Sequence, residues 1–332
     1  MNPKRILLFD NLRALCVLYI VGYWHMKYYC AITVPAFFSN VTTGVMAAFF
    51  FVSGYFLGHR RIVTRKDAGA FYLNRFIRIW PLFSAACLVF YLTGTIKSCR
   101  QLVLTLTGLS CIIPPTPLTL WFVAMLIPFY AVTPLILRSS KLRRAGVCLL
   151  LYLFLAFACG RYSSLDQRFL TYFPAYAAGL LLAEGNSVHA LHGQSALKSL
   201  LLTGISLAAY IAAYLLREHF PAFRKSPASD YLTMVPLILV LLFAGQLIEK
   251  RSAAVTKFLG LISYGSMCAY LFHRPYYKLL YMNVFHGKWP VWFAYLFALP
   301  FILLISWGIQ KLYDAILSRF YFSRHPSKSV PG

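Results

Sequence analysis

The sequence predicts an all-α polytopic membrane protein with about ten transmembrane helices and an N-in, C-in orientation. Three observations carry that expectation. The 332 residues are 60% hydrophobic and only 12% charged, whereas soluble domains carry about 25% charged residues. Apolar runs close to the ~20 residues that cross a bilayer recur along the whole chain. Basic residues fall in short clusters between those runs: His59-Arg60-Arg61, Arg65-Lys66, Arg138 to Arg144, Lys250-Arg251 and Arg324 to Lys328. Clusters of that kind orient helices by the positive-inside rule.

Taken in order, the apolar runs give spans at 9–29, 41–58, 78–96, 119–137, 145–160, 169–184, 199–216, 231–248, 258–280 and 290–312. The first is basic and then apolar, like a signal peptide. Asp10 and Arg13 interrupt it and no small-residue cleavage site follows, so it reads as an uncleaved helix. The stretch 102–113, ending at Pro114-Pro115-Thr116-Pro117, is too short to span and reads as a re-entrant or surface piece. Placing both termini and every second loop in the cytoplasm assigns 21 of the 32 basic residues to that side and 11 to the other. The segment 217–230, with Arg217, Arg224 and Lys225, runs against that bias. Residues 1–312 thus read as one transmembrane domain and 313–332 as a basic cytoplasmic tail.

The formal charge of +24 is spread over these clusters, with no extended basic stripe for nucleic acid. The eight cysteines show no CxxC or Cys/His spacing, so neither a metal site nor a disulfide framework is expected. They read as small buried apolar residues.

Four segments carry candidate chemistry. Asp10, Arg13 and His25 share the first span, where a charge at bilayer depth costs about 2.5 kcal/mol or more and so marks function. His25 falls in the outer half, about 18 Å along the axis from Arg13. A neutral imidazole there can take a proton from a hydroxyl; the same residue, beside Tyr23 and Trp24, also reads as a histidine bonded to a neighbouring helix. Arg75 and Arg78, three apart at the cytoplasmic end of the third span, share a helix face. They suit either bidentate phosphate binding or plain positive-inside anchoring. Ser53 and Gly54 lie in an aromatic run from Gly44 to Tyr55, where small residues let another backbone or a ligand approach. The stretch Ser263 to Pro275 puts His273 in the outer half of the ninth span, either facing His25 across a cavity or simply satisfied by a neighbour.

Six motifs in order, DNLRAL with His25, FFFVSGYFLG, NRFIRIWP, LWFVAMLIPFY, YFPAYAAGLLLA and ISYGSMCAYLFHRP, resemble the acyltransferase-3 family, integral-membrane enzymes that O-acylate cell-surface glycans. The likeness runs from about residue 5 to residue 312, and its LWF and DNLR details are closest to the branch of fucose 4-O-acetylases. It implies that His25 is catalytic with Arg13. Arg75 and Arg78 would hold acyl-CoA, and Ser53, Trp121, Tyr270 and His273 match family motifs; with Asp10 of the first span they are the candidates for lining a cavity through the membrane. No cofactor is permanently bound on this reading; acetyl-CoA is the donor substrate. A glycan or lipid-linked sugar is the acceptor, and a bacterial inner membrane is the setting. The family spaces its basic residue and histidine by ten residues, and here there are eleven. On an α-helix the extra residue leaves the two side chains about 120° apart, unless a π-bulge absorbs it. The competing function is a transporter or flippase for a lipid-linked sugar, which would favour an internal repeat; none is evident and the Arg/His set is not duplicated.

Overall fold

The computed structural model describes residues 6–183, 194–224 and 226–319. Among these the backbone is helical apart from loops and one isolated bridge, Cys30 to Trp289. Each of the ten expected segments is helical, nine of them as one helix and the ninth as a bent pair. Helix α1 (Leu7–Tyr28) is α-helical to Tyr19 and continues as a π-helix over Ile20–His25. There follow α2 (Phe37–Gly58), α3 (Arg65–Leu92), the short α4 (Cys99–Leu106), α5 (Trp121–Leu137), α6 (Lys141–Arg161) and α7 (Arg168–Leu182). After these come α8 (Ala196–His219), α9 (Pro227–Arg251), α10 (Ala253–Tyr264), α11 (Ser266–Asn283) and α12 (Val291–Leu317). Seven of the described helices are long and apolar enough to cross a membrane, or eight if α10 and α11 form one bent span. Helices α5 and α7, with 17 and 15 residues, are shorter. The chain is an all-α polytopic membrane protein.

Three boundaries differ from the sequence reading. The third helix starts at Arg65 rather than 78, because Thr64 and Asp67 form a capping box: each side chain bonds the other's backbone N–H. Arg75 and Arg78 therefore lie some three turns inside it. The ninth span is two helices meeting at 63° around Gly265, where an added Cβ would lie 3.0 Å from Trp307 N. Helix α12 runs on through Leu317, so the expected tail from 313 begins as helix; residues 320–332 lie outside the described residues, as does most of the expected basic loop 184–198.

The chain divides into two compact units. The first comprises Met1–Pro35, Ala196–Thr203 and Leu241–Gly332. Its centre is α1, whose Leu8, Phe9, Leu12, Ala14, Cys16 and Val17 are fully buried. Asn11 is buried too and donates from Nδ2 to Gly245 O at 2.9 Å. Beyond α1 the chain is tied down by Trp289 N donating to Tyr29 O and by Lys288 Nζ donating to Tyr28 O.

The second unit comprises Ala36–Ser195 and Gly204–Val240. Helices α2 and α7 cross at glycines, with Phe50, Phe129, Tyr172 and Tyr176 filling the adjoining core. Asn40 on α2 donates to Thr233 Oγ1 and accepts from the Tyr210 hydroxyl, so this buried amide is satisfied at both ends.

Candidate active site

The π-helical stretch of α1 ends on His25. A π-helix advances about 80° per residue rather than 100°, and six such steps almost cancel the extra residue of the Arg13-to-His25 spacing. His25 thereby returns to within about 20° of the Arg13 face. The widened turn also leaves the Val21 carbonyl open to the Tyr277 hydroxyl, which donates to it at 3.3 Å.

His25 and His273 meet in the first unit. His25 Nδ1 lies 2.6 Å from His273 Nε2, with the two rings nearly parallel at 7°. His273 Nδ1 lies 3.0 Å from Ala269 O. A carbonyl only accepts, so His273 Nδ1 carries the proton and its neutral Nε2 is a lone pair. His25 Nδ1–H must then donate to that lone pair, and His25 Nε2 is left as the basic nitrogen. His273 is completely buried while His25 keeps 8% of its surface exposed, so His25 is the less enclosed member of the pair. Tyr270 packs beside His273 at 6.1 Å between ring centres, and Tyr277 stands edge-on to it at 5.7 Å.

Arg13 is not brought to this pair. It donates to Asp10 Oδ1 at 2.5 Å, and the same oxygen accepts from Ser263 Oγ at 3.0 Å. Asp10 is buried and Arg13 half-buried. Removing the cation strands a buried carboxylate, so Arg13→Ala is expected to destabilise the protein by about 1–3 kcal/mol, discounted for the partly exposed guanidinium. Asp10→Asn in the same chain should restore most of the loss, as read from thermal unfolding in detergent.

The remaining sequence candidates belong to the second unit. Arg75 lines a cavity of about 170 Å³ with Arg60, Arg61, Asn74 and Phe71. Arg78, one turn on, is exposed and within electrostatic range of Arg75. Among the described residues no carboxylate pairs with Arg60, Arg61 or Arg75; the nearby Asp67 is turned to its cap, accepting from Val63 N and Thr64 N. Ser53 lies close to the Tyr130 hydroxyl, which in turn is an electrostatic neighbour of Arg75. Trp121 has the Arg168 guanidinium 4.3 Å over its ring, and Arg168 forks onto both oxygens of Asp166. That cluster is internally satisfied.

Sequence reasoning did not single out Arg60, Arg61 or Arg274. The first two were absorbed into the count of cytoplasmic charge. Arg274 follows directly on His273 in the ninth-span motif, and an arginine inside an apolar helix is itself the signal that flags it.

Among the described residues no group of three or more His, Cys, Asp or Glu is arranged to hold a metal ion. No curated protein and no solved structure matches the chain. The family model described as an acyltransferase domain, that of the acyltransferase-3 family, matches residues 6–311. A match over nearly the whole helical chain makes this protein a membrane acyltransferase that belongs to the acyltransferase-3 family.

Proposed function

We propose that this acyltransferase moves an acyl group, acetyl in the simplest case, from acyl-CoA to a hydroxyl of a cell-surface or lipid-linked glycan. The reading sets it in a bacterial inner membrane with both termini cytoplasmic. The observation that carries it is the His25–His273 pair, because hydroxyl activation requires a neutral base whose free nitrogen is held in one tautomer. His25 Nε2 takes the hydroxyl proton as the oxygen attacks the thioester carbonyl. CoA leaves as thiolate and recovers that proton from His25.

The donor side rests on the arginine cavity. Three guanidiniums with no carboxylate partner among the described residues, around a cavity of about 170 Å³, suit the phosphates of the nucleotide half of acyl-CoA. Arg78 adds positive charge nearby, and Ser53 and Tyr130 support the Arg75 side. Asp10 and Arg13 then act in the folding of α1 rather than at the reacting atoms.

Mass spectrometry of surface glycans from cells with and without the gene tests the reading, since the mass increment names the acyl group. Membranes given labelled acetyl-CoA should label glycan. In that assay Arg75→Ala is expected to raise KM for acetyl-CoA about tenfold or more, as loss of a charge-assisted phosphate bond implies. Unchanged glycans in the deletion strain, with no labelling in vitro, would end the proposal.

A further inference from the structure

Six arginines among the described residues are not solvent-exposed: Arg13, Arg75, Arg144, Arg168, Arg217 and Arg274. Four of them have their charge or donors answered inside the protein. Arg13 pairs with Asp10, Arg168 with Asp166 and Arg217 with Asp230. Arg144 donates from Nε to Ser139 O and from a terminal nitrogen to Leu137 O. The two exceptions are Arg75, already assigned to donor phosphates, and Arg274.

Arg274 is the more demanding case. Its Nε is buried and has no hydrogen-bond partner among the described residues. No carboxylate or carbonyl receives its guanidinium there. Its neighbours are phenols: the Tyr28 ring lies 5.4 Å from Cζ, and Tyr29 and Tyr270 are within electrostatic range. The same cation is felt at His25. Tyr28 is the last residue of α1, three positions past His25, and Arg274 follows His273 on α11. The guanidinium is therefore within electrostatic range of both histidines, with no anion of its own among the described residues.

A half-buried cation with no internal anion is costly to keep, because its lost hydration is not repaid. Placed next to a base, it repays that cost only when negative charge appears. We propose that Arg274 is a catalytic residue that holds the oxyanion formed on the acyl carbonyl when the hydroxyl attacks. This inference rests on the assignment of His25 as the base. In the step, the hydroxyl O–H bond breaks and its proton goes to His25 Nε2. The oxygen–carbon bond forms, and the carbonyl π pair moves onto oxygen opposite the guanidinium. Collapse of that oxyanion breaks the C–S bond, the sulfur leaves with the pair, and His25 returns the proton to it. The products are an ester and CoA.

The charge at His25 is balanced by the same device. The imidazolium formed in the step lies within range of two cations, Arg274 and Lys27, and donates to neutral His273, while the oxyanion between imidazolium and guanidinium supplies the missing negative charge. Charge is thus created only as a pair, in a setting already short of one anion.

Membrane vesicles holding the native acceptor, supplied with labelled acetyl-CoA, give the test. Arg274→Gln is expected to lower kcat about 10²-fold or more with KM for acetyl-CoA unchanged, and Arg274→Lys, which keeps the charge and loses the fork, should recover part of the loss. Retention in detergent size-exclusion chromatography identifies variants that fold, and Arg274→Lys carries the test if the glutamine variant does not. The proposal is overturned if folded Arg274→Gln turns over within about threefold of wild type. It is equally overturned if raising the acceptor load of the vesicles restores full rate, which would make Arg274 an anchor for an anionic acceptor. His25→Ala in parallel separates the two claims: full activity there removes the base assignment, whereas loss there with an unaffected Arg274 variant removes only the oxyanion role.

Discussion

His25→Ala lowers acyl transfer by about 10²–10⁴-fold, the range supplied by a positioned general base, while the folded protein and its KM for acetyl-CoA are retained. The expectation follows from the tautomers. His25 presents Nε2 only because its Nδ1–H is committed to His273 at 2.6 Å, and His273 is itself fixed by the Ala269 carbonyl. His273 is fully buried and acts through His25, so it is a positioning residue. His273→Leu fills the space but removes the acceptor. It frees the His25 tautomer and is expected to cost about tenfold or more in kcat. His273→Gln, whose side-chain carbonyl can accept from Nδ1–H and whose amide can donate to Ala269 O, should lie between wild type and the leucine variant. A packing role alone would predict the reverse order, since leucine is the better apolar filler. Labelled transfer in membranes measures all three, and full activity of His25→Ala would sink the assignment.

Much of this arrangement was legible in the sequence, for reasons that differ by element. The helical spans show because lipid-facing and core-facing residues are both apolar, so hydropathy marks every one of the ten segments. It marks where a helix is apolar and not where it begins, which is why α3 reaches back to Arg65. The signal for that start was the local pair Thr64 and Asp67 rather than any apolar run. The irregularity in α1 was legible as one surplus residue between Arg13 and His25, and the π-helical stretch Ile20–His25 absorbs it.

The sequence could bring His25 and His273 to similar depth and no further. The two are 248 positions apart, and their meeting depends on the packing of α11 against α1, which periodicity does not encode. Arg60 and Arg61 were hidden for a different reason. A basic loop serves topology and anion binding with the same residues, so composition assigns it to the commoner use. Only the cavity shared with Arg75 separates the two roles.

Gly54→Leu is expected to prevent α2 and α7 from docking, the largest stability effect of any substitution considered. A Cβ at Gly54 would run into the Tyr176 carbonyl oxygen, and a Cβ at Gly179 would meet the Phe51 carbonyl oxygen and come within 2.7 Å of Tyr55 N. The obstacle at each glycine is backbone of the facing helix, which cannot rotate away as a side chain can. Small-residue contacts of this kind let membrane helices approach closely enough for dispersion to hold them. Gly54→Ala forces a separation along the whole contact and should cost about 1–3 kcal/mol, as overpacking does. Gly54→Leu should exceed about 4 kcal/mol and leave little folded protein. Because the two glycines relieve the same contact, Gly54→Ala with Gly179→Ala should cost less than the two single effects combined. Gly146 on α6 is the control, since a Cβ there meets nothing within 4 Å. Gly146→Ala should be neutral or stabilise by up to about 1 kcal/mol through helix propensity. Thermal unfolding in detergent, followed by near-ultraviolet circular dichroism, orders the series; a Gly54→Leu variant that melts with wild type would mean that α2 and α7 do not meet at this point.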